Sequence, residues 1–205
     1  SEYGLVPVDQ PVLINRALRS AGLLEVRDGP YGEMLMPMDS RAFAVVDHQL
    51  AHIYVNNPHD ITSVKRLVES LPGVDAVVEP GEIELDHARS GELIALAKPN
   101  AWFAYYYWLE DARAPDFART VDIHRKPGYD PCELFMTSPI RAAMRLAQKK
   151  LGMRYRMDVI PLDPSLIKGS HGLRPSDQDG PVIIGENPPG DMREFKRYVE
   201  SSLKS

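Results

Sequence analysis

The chain has a single cysteine, Cys132, in 205 residues. No disulfide can close within it, and no zinc site can be built from thiolates. It has no run of Lys and Arg of the kind that tracks a phosphate backbone, and its net charge is −5. Both facts argue against a nucleic-acid polymer as partner. No apolar run approaches the ~20 residues of a membrane span, so no membrane partner is expected. An initiator Met is missing, and "SEYGLVPVDQP" reads as a strand-to-loop junction. The chain is therefore expected to begin inside a larger protein. It carries no signal-peptide pattern, but in such a piece this says little of compartment, and the cytoplasm is the default. What is present is ordinary for a globular domain: 43% hydrophobic and 26% charged residues. That supports one domain with a core of useful size.

Periodicity predicts a helix over 11–21, with Val12, Ile14, Leu18 and Ala21 at helical spacing and Gly22 as its stop. Asp28-Gly29-Pro30 predicts a hairpin turn. "AFAVVDHQLAHIYVN" (42–56) is rich in β-branched and aromatic residues and predicts one long strand or two short ones. Asp60 is the expected cap of a helix over 61–71, with Val64, Leu67, Val68 and Leu71 on one face. Strands are expected at 74–79 and 91–97, so 42–97 forms an α+β subunit of strand, helix, strand and strand with an antiparallel or mixed sheet. A further helix over 138–152 has Ser138 as N-cap, Pro139 in its first position and Gly152 as its stop. A strand at 182–184 and a surface helix in "DMREFKRYVESSL" close the chain. The loops on either side of 138–152 are long, and long loops in a compact chain usually serve a function.

His124 lies in "VDIHRKPGYDP" and His171 in "KGSHGLRP", both segments with turn chemistry. Asp122, His124, Asp130 and His171 offer the imidazole and carboxylate donors that zinc takes when thiolate is lacking, provided that the two loops meet. The plain alternative is that both histidines hold loops together through ring N–H bonds. His48 and His52 are four apart, a metal-ligand spacing on a helix. On a strand, four residues at ~3.3 Å each stand about 13 Å apart, so these two are expected to be structural. Ser170 has no nucleophile elbow around it, so a serine hydrolase is not expected. Cys132 has no activating partner in sequence and reads as an inert thiol. Tyr105 to Trp108 can stack a base, but alternating burial in a core is the stronger expectation. Arg125 and Lys126 can meet a phosphate, with a solvated loop as the default.

Taken together, "SEYG", "LINRALRSAGLL" and "KGSHGLRPSDQDGPVIIG" resemble the C-terminal part of the alkaline phosphatase superfamily, in its type I phosphodiesterase/nucleotide pyrophosphatase branch. The resemblance implies an α/β fold of alkaline-phosphatase type, of which residues 1–205 would be a single, incomplete domain. It implies a hydrolase of phosphoric esters that uses two divalent metal ions, usually zinc, and a Thr or Ser nucleophile. The nucleophile and several metal ligands would lie upstream, so no catalytic residue is expected within this chain, and by itself it is expected to be inactive. The implied partners are a small phosphorylated substrate and the missing N-terminal part of the same protein. His171 matches the last metal ligand of that family. Where the family has an Asp-His pair, this chain has Glu2-Tyr3. Glu2 can still offer oxygen to a metal, whereas a phenol that titrates near pH ~10 is a poor ligand at neutrality. Asp122, His124 and Arg125 are expected to line the substrate cleft. A phosphatase-like binding module without catalysis is the alternative.

Overall fold

A computed structural model describes residues 3–174, 180, 182–190 and 192–203. The backbone divides into two units, Val6–Leu173 and the pairing of residues 1–5 with 174–205. The larger unit runs β1 (Val6–Pro7), β2 (Gln10–Val12), α1 (Ile14–Ser20), β3 (Val26–Gly29), β4 (Gly32–Leu35), β5 (Ala42–Asp47), β6 (Leu50–Val55), α2 (Ile61–Glu69), β7 (Val74–Val78), β8 (Leu93–Ala97), β9 (Ala101–Phe103), α3 (Pro139–Lys150) and β10 (Gly169–Ser170). The smaller unit holds α4 (Phe195–Ser202) behind a short 3-10 turn.

The expected subunit over 42–97 is present as a four-stranded sheet of order β5-β6-β8-β7, antiparallel throughout. Alternation decides its faces. Ala42, Ala44 and Val46 of β5 and Ala51, Ile53 and Val55 of β6 point into the core, against Val64 and Val68 of α2 and Ile14 and Leu18 of α1. The parallel pairing lies elsewhere, between β2 and β9, while β1 pairs antiparallel with β10. The sheets of the described residues are therefore mixed in direction.

Three boundaries differ from expectation for physical reasons. Helix α1 starts at Ile14 rather than residue 11 because Gln10–Val12 is drawn into pairing with β9. Asn15, inside α1, is fully buried; its side chain donates to the Ala44 carbonyl at 2.8 Å and accepts from the Ala44 N–H at 2.7 Å, which ties the helix to β5. Asp60 does not cap α2: its carboxylate is bound by Arg41, and the Asn57 side chain accepts from His59 N instead. Residues 182–184 form no strand, and Ile184 is 95% exposed. Helix α3 matches its sequence signals, with the Ser138 hydroxyl accepting from Arg141 N and Pro139 opening the first turn. Its apolar stripe, which includes Ile140 and Met144, faces outward.

The run Tyr105–Trp108 does not alternate. All four rings are buried to within 1% of full enclosure, in backbone that belongs to no strand. They close on each other, with Tyr106 stacked on Trp108 at 4.5 Å and Tyr105 and Tyr107 meeting Trp108 edge-on at 5.5 Å. No face is left for a base.

Candidate functional site

The tip of the β5–β6 hairpin is a two-residue turn, His48-Gln49, since Asp47 pairs with Leu50. His48 has φ +56, and Gln49 is not in the positive-φ region. Positive φ at the first central residue alone is the pattern of a type II′ turn, where glycine is the usual occupant. A histidine there costs on the order of 1 kcal/mol or more.

Three segments hold that tip. Phe103 N donates to the His48 carbonyl at 2.7 Å, Gln49 N donates to the His171 carbonyl at 2.9 Å, and the Gln49 side chain donates to Pro99 and Ala101 carbonyls at 3.1 Å. Gly172, at φ +117, lies so close that a Cβ would stand 3.2 Å from Gln49 N. That is the physical need for bare backbone after His171. The third segment approaches through Gly128, where a Cβ would stand 2.1 Å from the Val46 carbonyl oxygen. Only glycine fits, and the next residue, Tyr129, donates its N–H to that carbonyl at 2.9 Å.

These contacts gather three rings. The His48 imidazole stands 3.9 Å, centroid to centroid, from His171 and 4.5 Å from Tyr129. Asp47 Oδ1 is 4.0 Å from His48 Nε2. His48 Nδ1 is buried and makes no hydrogen bond, and neither does the buried hydroxyl of Ser170. Ser170 is thus a β10 residue turned inward, in keeping with the absence of a nucleophile elbow. Burial first, and then the neighbouring His171, push the His48 imidazole down to about 4, against a smaller upward pull from Asp47.

That depression has a consequence for stability. In the unfolded chain the ring takes up a proton near its ordinary 6.5, whereas in the fold it stays neutral to about 4. The stability linked to it is complete above 6.5 and is lost as pH falls from 6.5 towards 4. With allowance for partial exposure, the loss is on the order of 2 kcal/mol. His52 is depressed by burial as well and acts in the same direction. Urea unfolding at pH 7.5 and 4.5 checks this: His48→Asn should flatten the dependence, and a parallel profile would refute it.

The four side chains offered as zinc donors do not form one site. Among the described residues, no three His, Cys, Asp or Glu side chains stand where they could hold one metal ion. Asp122, His124, Asp130 and His171 therefore do not converge. Asp130 is taken by Lys126, whose Nζ bonds its Oδ2 at 2.8 Å and Glu133 Oε1 at 2.5 Å. Lys126 is buried, not the solvated loop residue expected. Arg125 lies over the Phe117 ring at 4.7 Å and pairs with Asp116 at 3.5 Å and Asp122 at 3.8 Å. It borders an apolar pocket of about 360 Å³ whose walls include Phe43, Val45, Tyr107 and Phe117. The segment 125–129 thus runs from this pocket to the ring cluster. Cys132 is buried and its thiol is pushed up to about 12, chiefly by burial, as an inert cysteine should be. Glu2 lies outside the described residues.

The sequence model of the family described as type I phosphodiesterase / nucleotide pyrophosphatase matches residues 1–130, more than half of the chain. The chain belongs to this family. Membership relates it to hydrolases of phosphoric esters and agrees with an α/β fold of alkaline-phosphatase type. The match ends before the Gly-Ser-His-Gly loop. Among solved structures, the chain is similar to phosphonoacetate hydrolase from Sinorhizobium meliloti 1021 in complex with phosphonoformate, at 16% identity and TM-score 0.35 over 50% of this chain. The same enzyme in complex with phosphonoacetate gives 16% identity and TM-score 0.36 over 55%. The chain spans about a quarter of those chains, 26% and 28%. No curated protein matches it.

Measured against the divalent metal that the family implies, His171 has the His48 ring at 3.9 Å, and among the described residues it belongs to no group of three or more His, Cys, Asp or Glu able to hold an ion. The described residues do not fit a complete metal centre. His48 and Tyr129, by contrast, were not among the expected site residues. The sequence signal for His48 is length, since 42–55 is too long for one ordinary strand of about 5–6 residues and must bend somewhere near its middle; Tyr129 has no such signal.

Proposed function

We propose that this chain is the C-terminal portion of a metal-dependent hydrolase of phosphoric esters or anhydrides, acting on a small phosphorylated substrate. The nucleophile and most of the metal donors come from the preceding, N-terminal part of the same protein. His171 contributes one donor to a divalent cation, zinc by donor type, with Glu2 as a second. Asp122, His124 and Arg125 border the substrate. The portion alone is inactive. Family membership over residues 1–130 supports the reaction class. The observation that carries the assignment of His171 is its loop. The backbone at that ring is tied twice, by the pairing of β10 with β1 just before it and by the hydrogen bond at 2.9 Å from Gln49 N, in the β5–β6 turn, to the His171 carbonyl. A ring fixed so closely, in a segment with glycine on either side, is presented rather than merely packed.

The test is hydrolysis of bis-p-nitrophenyl phosphate with zinc by the full-length protein, its His171→Ala form and the 205-residue chain. The full-length protein should turn over, His171→Ala should lose on the order of 10²-fold or more, and the chain alone should be silent. Equal activity in the first two would end the assignment.

A second reading, a phosphatase-like binding module without catalysis, is favoured by Glu2-Tyr3 standing where the family has an Asp-His pair. Metal analysis of the full-length protein separates the two: two zinc ions per chain support the enzyme, and none supports the binder.

A further inference from the structure

His48 breaks two rules at one position. Its backbone sits at φ +56 in a turn where glycine or asparagine is free of strain. Its Nδ1 is buried without a hydrogen bond, which costs free energy that an apolar ring would avoid. A non-glycine residue held at positive φ beside a candidate site residue is strain that the surroundings enforce. The surroundings here are specific. The hairpin tip is clamped by Phe103 N, by the His171 carbonyl and by Tyr129, whose N–H binds the Val46 carbonyl and whose ring meets His48. What the strained turn delivers is a flat ring 3.9 Å from the His171 ring, tilted 36° to it.

The geometry points to His48 as the positioning residue for His171: the positive-φ turn at the β5–β6 tip lays its imidazole against the His171 ring, and the Tyr129 ring packs on the same imidazole. The inference rests on the reading above that His171 is a site residue. Two consequences follow. The ring face, not the nitrogen, performs the task, so a phenyl ring should substitute. And histidine is not the residue that this backbone favours, so residues that suit positive φ should fold at least as well while losing the function.

The experiment uses His48→Gly and His48→Asn, which accept the turn and remove the imidazole, and His48→Phe, which keeps a ring. In the 205-residue chain, the Cε1–H and Cδ2–H signals of His171 are followed by proton–carbon correlation spectra, assigned through their loss in His171→Ala. They should be displaced by ring current in the parent and in His48→Phe, and should return to the positions of a free imidazole in His48→Gly and His48→Asn. In the full-length protein, kcat on bis-p-nitrophenyl phosphate should fall on the order of 10²-fold in the Gly and Asn forms with KM little changed, because a displaced group costs rate rather than binding. The Phe form should regain most of that rate.

Unchanged His171 signals in His48→Gly overturn the inference whatever the turnover. Moved signals with undiminished turnover overturn the positioning role. A full-length protein that shows no turnover sinks the hydrolase reading instead, and the ring signals then decide His48 alone.

Discussion

Lys126→Met should destabilise the 205-residue chain by about 3–5 kcal/mol. The ammonium is fully enclosed, with Asp130 at 2.8 Å and Glu133 at 2.5 Å, and its side chain has 0% exposure. Methionine fills nearly the same space but leaves two carboxylates facing an apolar wall that includes the Tyr105 ring, which the Nζ now approaches at 5.7 Å. Asp130 is the more exposed to that loss. Burial already pushes its carboxyl above the ordinary range, and Lys126 is the strongest influence pulling it back. Such a raised group favours the fold below its unfolded value and loses that contribution as pH rises through its folded value. The penalty of Lys126→Met should therefore be larger at pH 7 than near pH 4. Adding Asp130→Asn should restore part of the loss, because the more deeply buried of the two uncompensated charges is gone and Asn can still accept from Cys132 N as Asp130 does at 3.1 Å. Urea unfolding of the two single forms and the double form gives the coupling directly. A single-form loss under about 1 kcal/mol, the range of an exposed pair, would show that the lysine is not enclosed.

The same loop shows how unevenly the sequence discloses its structure. Helix α3 was legible because every signal is local: a serine cap, a proline in the first turn, cations in the last turn and a glycine stop. The four-stranded subunit was legible because 42–56 is rich in β-branched and aromatic residues, while which side chains face inward, Ala42, Ala44, Val46 and Ala51, Ile53, Val55, came only with the fold. The hairpin tip was not. His48-Gln49 has none of the glycine or asparagine that announces a two-residue turn, so the strand reading placed His48 and His52 along one line. The turn separates their roles: His48 faces His171, while His52 sits on β6 and accepts from Gly91 N at 3.3 Å. Lys126 was hidden for another reason. A lysine in a loop of Pro, Gly and Asp reads as solvated, and only the fold reveals that Asp130 and Glu133 return to enclose it. His171 could be singled out from its flanking glycines, but the ring it meets comes from residue 48, which in turn meets Tyr129, brought near by the Gly128 approach to Val46. No spacing in the sequence encodes a contact of that kind.

Trp108→Ala should cost a comparable amount, about 3–5 kcal/mol. The indole is fully buried at the centre of the aromatic cluster, and its removal exposes the faces and edges of three tyrosines at once. No neighbour can relax into the gap without breaking a contact of its own. Tyr107 is held by its hydroxyl, which donates to the Glu33 carbonyl at 3.1 Å, and Tyr106 by its hydroxyl on Cys132 Sγ at 3.4 Å. The backbone is fixed as well, since Arg16 Nε of α1 donates to the Trp108 carbonyl at 2.8 Å. Trp108→Phe separates ring from hydrogen bond. It keeps most of the stacking on Tyr106 but loses the indole N–H bond to Asp111 at 2.9 Å. Asp111 is half exposed, so water can replace that bond, and the phenylalanine form should lose only about 1–2 kcal/mol. Circular dichroism during urea unfolding reads both. If alanine cost no more than phenylalanine, the four rings would not form one packed unit, and a free face for stacking a base would have to be reconsidered.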